Sequence, residues 1–203
     1  MYKNQLLTLL FALIGLSAGA QEANDLFVPE FNWKIRIPAG YTRVSQAGAD
    51  SLSEGGEEMI EKHTGITINT RPKDLFTFRN GPLHYIEANY LPRTTNSVKE
   101  YEAAFRKMTE VVYTTFEKQF SAAAVDTATG TEVIAGMRFY ALRVQIKAAN
   151  GFVLRMHLYT RLVGERDLTV TFLSIDKDRL EELLNAFRTS TFGATAAQGK
   201  AKP

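Results

Sequence analysis

Three arginines, a histidine and a tyrosine carry the clearest chemical potential in this chain: Arg143, Arg155, His157, Tyr159 and Arg161. They fall in two consecutive runs of alternating apolar and polar residues. Residues two apart on a strand share a face, so the alternation projects all five from one side of a sheet, with Arg143 directly opposite His157. Guanidinium forks beside an aromatic suit a carboxylate, a phosphate or an acidic partner. Solvated sheet faces are commonly dressed in the same long side chains. The five are therefore a candidate partner-binding face and are given no catalytic role.

Other chemistries find less support. The histidines His63, His84 and His157 lie on separate segments without the H-x-x-x-H spacing of a zinc site. The chain has no cysteine, hence no thiol nucleophile and no disulfide. Asp50, Glu54, Glu57, Glu58 and Glu61 crowd the segment from Ser45 to Gly65, but the D-x-D-x-D-G order of a calcium loop is missing. That segment reads as a mobile loop with one helical turn over Glu57 to Lys62. Gly15-Leu16-Ser17-Ala18-Gly19 matches the G-x-S-x-G nucleophile pattern by letter, but that motif needs a strand before it and a helix after it inside a folded domain, and Ser17 is expected to be discarded with a signal peptide. No P-loop or dinucleotide-binding glycine pattern occurs, so neither metal nor cofactor is expected. The alternative to a binding protein is a small-molecule carrier or an unrecognised hydrolase. Its pocket would lie between the long helix and the sheet, near Tyr101, Phe105, Tyr140 and Phe172.

The elements that must position these residues follow from pattern. Lys3, the apolar run from Leu6 to Leu16 and the small residues Ala18-Gly19-Ala20 describe a signal peptide over 1–20. The run is too short to span a bilayer. A single α+β domain is expected over 21–192 and a disordered tail over 193–203. The expected location is periplasmic or secreted, with no transmembrane segment in the mature chain. With 24 basic against 22 acidic residues, the balance lacks the basic excess of a nucleic-acid binder. The partner is instead expected to be a protein or another envelope component.

Within the domain, Gln21 to Glu30 reads as a polar lead-in. Phe31, Trp33, Ile35 and Ile37 alternate as a strand, with Trp33 in the core. Leu75 to Arg79 and Leu83 to Tyr90 flank an Asn80-Gly81-Pro82 turn, placing His84 against Phe78. Ser97 and Glu100 form a capping box that opens a long helix over about 97–120. Its stripe runs through Val98, Tyr101, Phe105, Met108, Val112, Phe116 and Phe120. A hairpin turning at Thr129-Gly130 leads to a three-stranded meander from Met137 to Leu173. Its first turn, Ala149-Asn150-Gly151, pairs Ile146 with Leu154. Its second, Gly164-Glu165-Arg166, pairs Leu158 with Phe172. Asp176 caps a short helix over about 177–188. The expected architecture is an antiparallel sheet of about six to seven strands flanked by these two helices.

Three features, Phe31 through Tyr41, the Gly136-Met137-Arg138-Phe139-Tyr140 entry into the meander, and the closing helix before Ser190 and Phe192, make the chain resemble the PsbP/Mog-type α/β/α sandwich. That resemblance implies a non-catalytic binding or assembly role and assigns no site residue.

Overall fold

Turn geometry sets the main sheet. In the computed structural model, which describes residues 24–193, Gly151 adopts φ 84° and closes the three-residue turn between β7 (Met137–Ala148) and β8 (Val153–Val163). Ile146 then pairs with Leu154, Val144 with Met156 and Leu142 with Leu158, as the sequence predicts. The next turn differs. Val163 pairs with Arg166, leaving only Gly164 and Glu165 between β8 and β9 (Arg166–Ser174). Gly164, at φ 61°, supplies the left-handed first position that such a tight hairpin needs. One residue fewer in the turn flips the strand. Leu158 faces Thr171, and the expected Leu158–Phe172 and Leu162–Leu168 pairs are replaced by His157–Phe172 and Arg161–Leu168.

As a result the sheet is apolar on both sides. Its order is β3-β4-β5-β9-β8-β7-β6, with β3 at Thr42–Arg43, β4 at Lys73–Arg79, β5 at His84–Pro92 and β6 at Ala123–Ile134. Leu142, Val144, Ile146, Leu154 and Met156 pack with Phe105 beneath α2 (Val98–Gln119). On the reverse face Phe76, Ile86, Phe139, Tyr159, Val170 and Phe172 join a second core with α3 (Lys177–Arg188) and a small sheet. That small sheet, in the order β1-β2-β10, comprises Asn24–Val28, Trp33–Ile37 and Thr191–Phe192. The expected polar lead-in is therefore partly strand, because Asn24 to Val28 pairs along β2.

Further departures have local causes. The acidic segment is the 19-residue helix α1 (Gln46–Thr64), not a loop: Ser45 caps it by accepting from the Gly48 amide, and Gly65 ends it at φ 71°. Thr129-Gly130 is no turn. Gly130 pairs with Ala141 in an unbroken strand, and the reversal falls on Ala135 and Gly136, both at positive φ. The reversal expected at Asn80-Gly81-Pro82 falls one residue later, with the Asn80 amide donating to the His84 carbonyl across Gly81, Pro82 and Leu83, so Phe78 faces Ile86 while His84 meets Ser174 at 2.7 Å. Val98 is 64% exposed, leaving the α2 stripe to start at Tyr101. The signal segment, and the tail beyond Gly193, lie outside the described residues.

Trp33 is fully buried, stacked on Phe192 with ring centroids 5.1 Å apart and edge-on to Phe187. Its indole N–H donates to Ser190 Oγ at 2.9 Å, and that hydroxyl donates to the Phe187 carbonyl. One hydroxyl thus ties the end of α3 to the small sheet. A buried donor left unpaired costs about 1–3 kcal/mol. Ser190→Ala should lower unfolding free energy by that amount in urea titrations followed by the fluorescence of the one tryptophan; a change below about 0.5 kcal/mol would remove this tie from the account.

Candidate functional site

The five predicted residues do share one side of the sheet, and Arg143 is opposite His157. The flipped β9 register changes what covers them. With Leu168, Val170 and Phe172 on the same side, α3 packs there, and Tyr159 is sealed against Phe172 and Phe187. Tyr159 is therefore a core residue and leaves the candidate surface. Arg155 donates to the Ile175 carbonyl at 3.2 Å and Arg161 to the Arg138 carbonyl at 2.9 Å, so both guanidiniums brace backbone. Arg143 and His157 lie nearer the β6 margin, beside α3.

Their organising partner is Glu132, which the sequence reading missed. Glu132 Oε2 accepts from Tyr159 Oη at 2.8 Å and lies 3.4 Å from Arg143, while Oε1 accepts from Arg188 Nε at 2.7 Å. Arg188 reaches on to Glu181 at 3.2 Å. Burial alone would raise the Glu132 carboxyl; hydrogen bonds from Arg188 and Tyr159 and the two guanidinium charges outweigh it and hold the group below its ordinary value. The Tyr159 phenol moves the other way, up to about 12, through burial and its bond to Glu132. The signal for Glu132 was its parity within a single β6, obscured by the turn assigned to Thr129-Gly130.

His157 sits within this charge cluster and is kept neutral. Burial, then the nearby Arg143 and Arg188 charges, push it down to about 4 against the opposing pull of Glu181 and Glu132. Its Nδ1 is buried without a hydrogen-bond partner among the described residues.

The opposite side of the sheet carries a second polar set that sequence reasoning also missed. Across β4 and β5, Thr77 faces Glu87 and Arg79 faces Tyr85, while Glu87 in turn faces Thr171 on β9. Helix α1 lies alongside α2 and bonds β4 through Gln46 and Asp74 at 3.3 Å. Burial raises the Glu87 carboxyl, the Asn89 hydrogen bond opposing and the Asp74 charge adding to it. Nearer the start of α2, Tyr101 Oη donates to Asp167 at 2.6 Å and meets Thr160 at 2.7 Å. Asp167 too is raised by burial, against the pull of those hydrogen bonds. The detectable signal was polar residues alternating with Phe76, Phe78, Ile86 and Ala88 on strands that helices must cover.

The alternative pocket is only partly assembled. Phe105 and Tyr140 line an open groove of about 580 Å³ with Glu102, Arg106 and Thr129 to Thr131. Phe172 lies through the sheet, in the other core, because of the same register flip. Among the described residues no group of three or more histidine, aspartate or glutamate side chains is placed to hold a metal ion, and no helix is long and apolar enough to cross a membrane.

The linkage at His157 has a definite sign. Its folded pKa lies below the unfolded value near 6.5, so between about pH 6.5 and 4 the unfolded chain binds the extra proton and stability falls as pH falls. After allowing for solvent screening the loss is about 1–2 kcal/mol. His157→Gln should lose less stability than the parent by that amount between neutral pH and the lower end of the window. Parallel stability curves for the two proteins would contradict it.

No family model and no curated protein matches the sequence. Among solved structures, the chain is similar in fold to cyanobacterial PsbP (CyanoP) from Synechocystis sp. PCC 6803. That likeness has 10% identity over 87% of this chain and 96% of that one, with a TM-score of 0.49.

Proposed function

We propose that this is an exported, non-enzymatic binding or assembly protein of the cell envelope that engages an acidic protein segment at the margin between β6, β7 and α3. The observation that carries the reading is the shared clamp on Glu132. Arg143 and Arg188 keep 39% and 38% of their side chains exposed while one carboxylate fixes both. Guanidiniums held this way lose little further side-chain freedom on binding. Among the described residues Arg143 spends one of its five N–H donors, on Glu132, leaving others to meet a partner's carboxylates. Arg155 and Arg161 brace backbone carbonyls on the same face, and His157 stays uncharged near neutral pH.

On the α3 side the displaced Glu132 and Tyr159 are spent on each other and on Arg143 and Arg188, which supports a binding role over a catalytic one. His157 faces α3 and Asp167 faces α2, so the sheet separates them. General acid–base chemistry requires such groups within hydrogen-bond reach of one reacting centre. The open groove beside Phe105 and Tyr140 favours a second reading, carriage of a small molecule.

Capture from native envelope by the tagged protein, read by mass spectrometry, tests both. Arg143→Ala leaves Glu132 bonded to Arg188 and Tyr159, so folding should change by less than about 1 kcal/mol while recovery of the partner falls at least about tenfold, the loss of one charge-assisted contact. N-terminal sequencing of the exported form should begin at Gln21. Unchanged capture by Arg143→Ala would overturn the proposed surface, and a small molecule co-purifying in place of a protein would favour the groove.

A further inference from the structure

Among the described residues, strand β6 occupies one end of the seven-stranded sheet and is bonded on one side only, pairing with β7 along all 12 residues without a register shift. Edge strands are normally protected by proline, lysine, a bulge or a covering segment. The β6 sequence AAVDTATGTEVI has neither proline nor lysine, and its ladder has no bulge. Its central residues from Asp126 to Thr129 are all exposed.

The hairpin fixes which backbone groups are open. The two-residue turn at Ala135 and Gly136 makes Ile134–Met137 the closing, doubly hydrogen-bonded pair. Counting back by twos, Glu132, Gly130, Ala128 and Asp126 spend their N–H and C=O groups on β7. Val125, Thr127, Thr129, Thr131 and Val133 aim theirs away from the sheet.

Those five outward residues are the odd positions of a chemical palindrome. Residues 125–133 read VDTATGTEV: valine, acid, threonine, small, threonine, small, threonine, acid, valine. Two antiparallel copies related by a two-fold axis through Thr129 would set valine on valine and threonine on threonine, each residue staying on its own face. An isologous contact demands this self-complementarity, and a foreign strand would not need it. Val133, 68% exposed, gains Val125 of the second copy.

The acids do not oppose the pairing. Asp126 would meet Glu132 of the other copy, but Asp126 already holds Lys147 at 2.8 Å and Glu132 holds Arg188 at 2.7 Å and Arg143 at 3.4 Å. Each acidic pair therefore arrives with three cations. The groove edged by Thr129 and Thr131 would fall at the seam.

We infer that this protein forms a two-fold symmetric dimer in which β6 of each copy pairs antiparallel with β6 of the other, Thr129 lying on the axis. Five outward residues per strand close a ladder of about ten backbone hydrogen bonds. The inference stands apart from the acidic-partner reading, although it would bring the two Arg143 side chains onto one surface.

The chain's lack of cysteine makes the test direct. In the paired strands the two Thr129 Cα atoms would be about 5.5 Å apart, within disulfide range, whereas the two Val125 positions would be separated by eight residues of strand. Under mild oxidation the purified Thr129→Cys protein should give a covalent species of twice the chain mass, and Val125→Cys should not. Light scattering on the parent should report the doubled mass, and Thr129→Lys, which sets two ammonium groups on the axis, should halve it with an unchanged circular dichroism spectrum. A monomeric parent, equal cross-linking at both positions, or a dimer that survives Thr129→Lys would each overturn the inference.

Discussion

The length of the Gly164-Glu165 turn is the constraint on which this architecture rests. With two residues between the paired ends, β9 turns Leu168, Val170 and Phe172 to the side opposite Leu142, Val144 and Leu154. The sheet then needs cover on both faces. Helix α2 supplies one cover, and α3 with the small sheet supplies the other. A three-residue turn would have collected the aliphatic residues on one side and left Phe187, Trp33 and Phe139 without Phe172 and Val170 to pack against. Burying each such side chain contributes about 1.5–3 kcal/mol, so the register is held by the packing it permits.

Covering both faces forces polar groups inside, and the chain pairs several of them in short networks. Tyr101, Thr160 and Asp167 satisfy one another where α2 meets the sheet. Tyr159, Arg143 and Arg188 converge on Glu132 where α3 meets β6. Buried polar groups are costly unless bonded, so each network locks one helix to one position on the sheet. The same locking gives the Arg143 and Arg188 guanidiniums a fixed presentation at the margin. Structure and proposed recognition therefore use the same carboxylate.

Much of this was legible from residue types. The capped helices from Ser97 and Asp176 stand where their caps and stripes put them, since side-chain oxygens at those positions satisfy the open N–H groups of the first turn. The Asn150-Gly151 reversal was readable because only one loop length keeps Arg155 from facing Ile146. The second reversal was not, because the reading assumed a single buried face; with two buried faces, alternation on its own permits either register. Helix α1 was hidden by its three glycines, which disfavour a helix on local propensity, and it is held by its caps and by α2 instead. The partner-binding candidates show the same limit. Parity placed Arg143 and His157 together correctly, but it carried no information on which helix would lie over Tyr159 or that Glu132 would come across from β6.

Cross-strand proton contacts between β8 and β9 report this register without intermediary. In an antiparallel ladder closed by a two-residue turn, alternate pairs bring their Hα atoms into close contact. Nuclear Overhauser spectra should show Hα–Hα peaks between Thr160 and Thr169 and between Leu158 and Thr171. Peaks joining Thr160 to Val170 and Leu158 to Phe172 would instead place the aliphatic side chains on one face and contradict the two-sided core, together with the buried Tyr159 and the Glu132 clamp that follow from it.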